Sequence, residues 1–466
     1  MTGQREFFSS RIGFILAAAG SAIGLGAIWK FPYMTGQNGG GAFLMVYLAV
    51  VALIGLTMIL AEMALGRATH TDAVGAFRRL GGGRWRFFGY FSLLAAFLIL
   101  SFYCVVGGWT VGYLVKAVSG SLFDESAGDF KARFQSFVGH PLESLFYFIV
   151  FMGMTTGVIL GGVTRGIERL SKVLMPLLFL LMLVMIVRAL TLDGAMEGVR
   201  FYLTVDFSKI TGRVLIDVLG FACFSLSLGF AGMLTYGSYM QPGESLIRSA
   251  VWVVILQTIC CILAGFMVLP AVFAFGFLPS EGPGLTYITL PAVFSKMVAG
   301  QFFAVVFFSL FLMAALTSSI SILEPIVTWL IDQFRMTRKA AGALVSVAST
   351  LLGISACWSF GAVDWTFGVA DLPAWLRLTP FEFLDYITLN VMMPVNALAV
   401  CLLMGWVADD AFRQQLYPAG TAFGPNAALL PRLSWLYSDL TVRFVAPAVI
   451  LVIMASSVVD ALKKAL

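Results

Sequence analysis

Charge is scarce in this chain. Only 11% of its 466 residues are Asp, Glu, Lys or Arg, against 60% hydrophobic, and the mean hydropathy is +0.95. No soluble core needs that ratio. Apolar stretches of roughly 20 residues, long enough to cross a ~30 Å hydrocarbon layer, recur from end to end. Histidine is almost missing: His70 and His140 are the two, both in polar connections, and no nucleophile and base stand together. An intramembrane enzyme is therefore not expected. The six cysteines, Cys104, Cys223, Cys260, Cys261, Cys357 and Cys401, lie in or at the ends of apolar runs. They have no metal-ligand spacing and no loop framework, and read as small packing residues. Low-complexity linkers are also lacking. The longest polar stretches, about 119–141, 191–213 and 408–438, are connections, so no soluble domain is expected.

A chain in lipid must satisfy its backbone internally, and continuous apolar runs without alternation select helices over a barrel. The reading is an all-α polytopic membrane protein. Runs near 11–34, 41–65, 88–118, 142–160, 170–190, 214–236, 246–275, 302–330, 341–357, 381–407 and 441–462 give about eleven transmembrane helices. The net charge of +5 is informative through its placement. Arg5, Arg11, the cluster Arg67, Arg78, Arg79, Arg84 and Arg86, then Arg165, Arg169, Lys172, Arg335, Arg338 and Lys339 fall on one side, which puts the N-terminus in the cytoplasm. Eleven spans put the C-terminus outside, against the pull of Lys463 and Lys464. Arg5 and Glu6 precede the first run, which lacks a small-residue cleavage site, so no removable signal peptide is expected. The setting is the cell (plasma or inner) membrane, with the lipid bilayer as partner and no nucleic acid.

Two runs are weakened at mid-depth. The first reads "GSAIGLGA" and continues into "IWKFP"; the sixth reads "FSLSLGFAG". Glycine also serves close helix packing, and either interruption alone is open to that reading. Two broken helices heading consecutive groups of five are the pattern of an inverted repeat with a midplane binding site. The repeats are 11–190 and 214–407, with 441–462 as an additional helix, all in one transporter domain. Unwound turns in a membrane must line a polar cavity. Half-helix N-termini offer N–H groups to an anion, and freed carbonyls suit a hard cation. A zwitterion together with a metal ion satisfies both.

The stretches "REFFSSRIGFILAAAGSAIGLGAIWKFPY", "NGGGAFLMVYL", "AEMALGR", "FSLSLGF", "ITLPAVF" and "ALTSSISILEP", in this order from residue 5 to about 406, closely resemble the neurotransmitter:sodium symporter family, above all its bacterial, LeuT-like members. The resemblance implies the LeuT-type fold, a 5+5 inverted repeat with helices 1 and 6 broken. It implies sodium-coupled secondary active uptake of an amino acid, neutral and apolar or aromatic, by alternating access. Its second sodium site falls on the carbonyls of Gly20, Ile23 and Ala314 and the hydroxyls of Thr317 and Ser318. The substrate amine falls on carbonyls of Ala22, Phe224 and Ser225. The carboxylate falls on the N–H groups of Leu25 and Gly26 and the Tyr103 hydroxyl. Ile99, Phe224, Ser227, Phe230, Ser318 and Ile322 would meet the side chain. Family members that carry monoamines have an aspartate where this chain has Gly24, so the ligand here should bring its own carboxylate.

The chain departs from the family pattern in places. Its first sodium site would use Ala22, Ser225 and Gln257, but Ala27 and Gln257 stand where asparagines are usual, and a methyl group cannot ligate sodium. That site is either remodelled or lost, and a carrier of another small organic solute is the alternative reading. Tyr47 is present at the anion position, while Phe221 and Cys261 replace its usual polar partners, so chloride is not expected. Lys30 and Asp385 match the outer gate, with lysine giving up arginine's bidentate fork. Arg5 and Asp332, with Tyr239 close by, match the inner latch. Glu62 and Glu324 are intramembrane acids and functional candidates by default; Glu62 is expected to accept hydrogen bonds from orphaned N–H groups at a break.

Overall fold

The computed structural model describes residues 6–124, 129–277, 284–361, 378–417 and 437–465. Among them there are helices and no strands. Among the described residues nine helices are long and apolar enough to cross a membrane, and a tenth crossing is the bent pair Arg11–Ala22 and Gly26–Gln37. We number the crossings as spans in chain order. Span 1 is that bent pair; spans 2 to 5 are Gly41–Thr69, Arg86–Ser119, Pro141–Leu160 and Val163–Leu190. Span 6 is Gly212–Ser225 followed by Gly232–Ser238. Spans 7 to 11 are Leu246–Ala274, Gly300–Phe334, Arg338–Phe360, Pro380–Val407 and Tyr437–Ser456. The sixth crossing is absent from the nine because its halves, of 14 and 7 residues, are each too short to cross alone.

Local chemistry sets where the helices begin. Ser10 Oγ accepts the Gly13 N–H at 3.2 Å to cap span 1, and Thr211 caps span 6 in the same way. Span 10 opens on a reciprocal Thr379–Glu382 cap with Pro380 in its first turn.

The interruptions have different causes. In span 1, Ile23 leaves the helical region at φ −87°, ψ 70°, and the halves meet at 54°. The chain then resumes as a wide π-wound turn over Gly26–Lys30. In span 6, Ser227, Gly229 and Ala231 take φ values of +56°, +90° and +64°. Left-handed backbone costs a non-glycine residue ~1–2 kcal/mol, and it persists only where surrounding contacts hold it. Span 1 packs on spans 5, 7 and 8, while the second half of span 6 packs chiefly on span 2.

Small residues allow that last approach. A Cβ added to Gly66 would collide with the Leu234 carbonyl, and one on Gly237 would collide with the Met63 carbonyl. Backbone therefore faces backbone, which is how membrane helices associate without a hydrophobic driving force. Replacing Gly66 with Ala should lower stability by about 1–3 kcal/mol through overpacking. Gly153→Ala, whose added Cβ meets nothing within 4 Å, should leave it unchanged. Thermal unfolding in detergent measures both.

Candidate functional site

The breaks meet at one carbonyl. Ser21 O, at the end of the first half of span 1, accepts hydrogen bonds from Ser227 Oγ at 2.8 Å and Ser318 Oγ at 3.0 Å. Ser21 Oγ in turn donates to Ser321 Oγ at 2.7 Å. Spans 1, 6 and 8 are thus tied through the backbone that the glycines free.

Beside this knot lies a cavity of about 40 Å³ lined by Ser21, Ala22, Gly24, Leu25, Gly26, Ile99, Tyr103, Phe224, Ser225, Ser227, Phe230, Ser318, Ile322, Leu389 and Met393. Every residue assigned above to the substrate lines it. No side chain in that lining carries a charge. The Leu25 N–H donates to the Tyr103 hydroxyl at 3.4 Å, so hydroxyl and freed N–H point at one region. Sequence reasoning missed Ser21, Leu389 and Met393. The four-residue spacing of Leu389 and Met393 puts them on one helix face, but nothing in the apolar span 10 sequence distinguishes that face. A second cavity, of about 290 Å³, lies beyond Phe224, Leu389 and Met393, which line both, and includes Lys30, Asp217 and Asn390.

Of the oxygens assigned to a cation, those of Gly20, Ala314, Thr317 and Ser318 come together. A Cβ on Gly20 would stand 3.1 Å from Thr317 Cβ, so span 1 backbone abuts span 8 there. Thr317 Oγ1 donates to Met313 O and Ala314 O, both at 3.1 Å, as hydroxyls in helices usually do. Ser318 instead reaches across to Ser21 O and, at 3.4 Å, Gly20 O. Carbonyls and hydroxyls alone form this group, the donor set of a hard cation.

The other ion position is differently built. Gln257, fully buried, accepts the Tyr47 hydroxyl proton at 2.9 Å and donates to Cys261 Sγ at 3.2 Å, so both ends of its amide are engaged. Ser225 Oγ donates to Ala222 O at 3.3 Å. The Phe221 ring packs 5.5 Å from the Tyr47 ring.

Gate residues follow the expected pattern only partly. Lys30 Nζ sits over the Phe224 ring, 4.8 Å from its centroid. Among the described residues it makes no ion pair within 4.0 Å, Asp385 included. Asp385 and Asp217 act on its charge from beyond that distance. Arg5 lies outside the described residues. Asp332 Oδ2 accepts the Asp72 N–H at 2.9 Å. The Tyr239 hydroxyl donates to Glu324 Oε1 at 2.6 Å and bonds the Thr328 hydroxyl at 2.5 Å. Arg338 grips both Glu324 oxygens, at 3.0 and 2.8 Å, and lies 3.5 Å from Glu6, which accepts the Val163 N–H at 2.6 Å. That ion-pair chain was not read from the sequence. Glu62 accepts the Gly229 N–H at 2.6 Å. This is a hydrogen bond to a freed N–H at a break, the contact the sequence suggested for it.

Two interrupted helices around an uncharged cavity, with an oxygen cluster at its edge, define a membrane transporter that handles a solute and a cation together. The chain belongs to the sodium:neurotransmitter symporter family, whose model matches residues 5–130 and 137–465. It is 39% identical over 447 residues, 96% of each chain, to the uncharacterized sodium-dependent transporter YhdH of Bacillus subtilis. It is 38% identical to an uncharacterized sodium-dependent transporter of Haemophilus influenzae, over 97% of this chain and 98% of that one. Among solved structures it is similar to MhsT in complex with L-phenylalanine, at 39% identity and TM-score 0.86, covering 97% of this chain and all of that one. The fold is the LeuT type, and the protein is a sodium-dependent transporter, not an enzyme.

Gly24 is the most exacting position. A Cβ there would collide with Ser318 Oγ and stand 3.2 Å from the Tyr103 hydroxyl. Sodium should raise the melting temperature relative to choline at equal ionic strength, and Gly24→Ala should remove at least half of that shift.

Proposed function

We propose that the protein carries out sodium-coupled uptake of a neutral, apolar or aromatic amino acid by alternating access. The observation that carries this reading is a cavity at two freed backbones with no charged side chain in its lining. A ligand there must bring both its own carboxylate and its own ammonium. An acid or a base lacking its counter-charge would leave one set of backbone dipoles unanswered. Leu25 N–H, Gly26 N–H and Tyr103 would take the carboxylate, and carbonyls of Ala22, Phe224 and Ser225 the ammonium. Ile99, Phe224, Phe230, Ile322, Leu389 and Met393 would surround the side chain. The phenylalanine in the MhsT complex supports an aromatic substrate.

Sodium is assigned to Gly20, Ile23, Ala314, Thr317 and Ser318. Because Gln257 is already bonded to Tyr47 and Cys261 and Ala27 offers no oxygen, one sodium per cycle is the favoured stoichiometry. The same engagement, with Phe221 against Tyr47, leaves no donor cage for chloride. The two repeats are 11–190 and 214–407, the helix 441–462 is additional, and the N-terminus faces the cytoplasm of a plasma or inner membrane. Phe224 and Lys30 close the outer side together with Asp385; Tyr239, Asp332 and Arg5 close the inner.

Proteoliposomes test the reading. An inward sodium gradient should drive saturable accumulation of labelled phenylalanine above equilibrium, and replacing chloride with gluconate should not alter it. Ser318→Ala should raise the half-saturating sodium concentration by about tenfold, a loss typical of one charge-assisted contact. Sodium-driven uptake of a different organic solute with none of any amino acid would transfer the assignment to that solute.

A further inference from the structure

We propose that Asn396, on span 10, is a positioning residue that makes the break in span 6 move with span 10. The inference rests on the transport reading above and adds a coupling element to it.

The Gly229 peptide is held from two sides. Its N–H donates to Glu62 Oε1 of span 2 at 2.6 Å, and its carbonyl accepts from Asn396 Nδ2 at 2.8 Å. A Cβ on Gly229 would collide with Met393 O and stand 2.8 Å from Met393 Cα, so the break lies directly on span 10 backbone. Gly229 has φ +90°, and Ser227 and Ala231 flank it in the same left-handed region. This backbone needs external contacts to keep its shape.

Asn396 is fully buried, and its Oδ1 has no hydrogen-bond partner among the described residues; neither does Glu62 Oε2. Burying an unpaired amide oxygen is unfavourable, and an apolar side chain of similar size would avoid it. What an apolar side chain could not supply is the donor to the Gly229 carbonyl. Asn396 stands three residues beyond Met393 on the same helix, and Met393 and Leu389 form the wall shared by the two cavities. A shift of span 10 that parts this wall therefore pulls the Gly229 carbonyl, and the opening of the wall and the reshaping of the break become one movement.

Asn396→Ala and Asn396→Asp test this in the full-length protein. In proteoliposomes Asn396→Ala should bind phenylalanine within about threefold of wild type yet take it up about tenfold more slowly, since binding contacts survive and the conformational step does not. An aspartate at this position cannot donate while ionised but donates an O–H when protonated. The uptake of Asn396→Asp, as a ratio to wild type at the same pH, should match the alanine variant in alkaline buffer and recover in acidic buffer. Glu62 lies on the other side of Gly229, and Cys401, five residues further along span 10, lies near Glu62 and Cys223; the variant and the wild type carry all three. Hydrogen exchange gives a readout without substrate: in Asn396→Ala the amides of 226–231 and of 387–393 should become faster together. Unchanged uptake, an aspartate variant that tracks alanine at every pH, or exchange altered in one segment alone overturns the proposal. Wild-type protein that binds no amino acid with sodium would refute the function above, while hydrogen exchange would still decide the role of Asn396.

Discussion

The structure depends on one carbonyl oxygen having two donors. Ser21 O belongs to the last turn of the first half of span 1, whose carbonyls have no partner further along the helix, and in a membrane an unpaired carbonyl is not tolerated. Ser227 and Ser318 supply the hydrogen bonds from spans 6 and 8. Ser227 can do so only because it takes a left-handed conformation, and Ser318 only because it gives up the usual bond to its own preceding turn. The breaks, the cavity beside them and the oxygen cluster on span 8 follow from that arrangement. A cation among those oxygens and a solute at the adjacent N–H groups would order the same few residues, so each would favour the other.

Much of this was legible before any coordinates. Gly24 and Gly26 interrupt an apolar run in a way that lipid penalises, and "FSLSLGFAG" repeats the offence one repeat later. The hydroxyls of Thr317 and Ser318 stand out only through the family resemblance, because a hydroxyl in a membrane helix ordinarily bonds its own preceding turn. Twelve of the fifteen lining residues could be named because the chain resembles a known family; Ser21, Leu389 and Met393 could not. What was not legible is who partners whom across the fold. Asn396 and Gly229 are far apart in the chain, and an asparagine in an apolar run does not announce which carbonyl it meets. Glu324 was visible as a buried acid, but its Arg338 partner opens the next span, across the connection from span 8, and was read as a positive-inside charge. Lys30 and Asp385 have opposite charges and suitable positions, yet the ammonium settles over Phe224, because charge complementarity fixes no geometry. Gln257 shows the same limit: nothing in the sequence says that its amide meets Tyr47 and Cys261.

Different elements hold the two sides. On the Lys30 side, aromatic and aliphatic side chains, Phe224, Leu389 and Met393, separate the two cavities. On the Tyr239 side, a chain of charges runs from the exposed Glu6 through Arg338 to the buried Glu324 and Tyr239. Removing one partner of the buried Arg338–Glu324 pair would leave an uncompensated charge, at a cost of about 3–5 kcal/mol.

Reciprocal binding tests the central claim most directly. Calorimetric titration should give the factor by which saturating sodium tightens phenylalanine and the factor by which saturating phenylalanine tightens sodium. The account predicts that both exceed about tenfold and equal each other, as linkage through shared backbone requires. A phenylalanine affinity that is the same in sodium and in choline would contradict it.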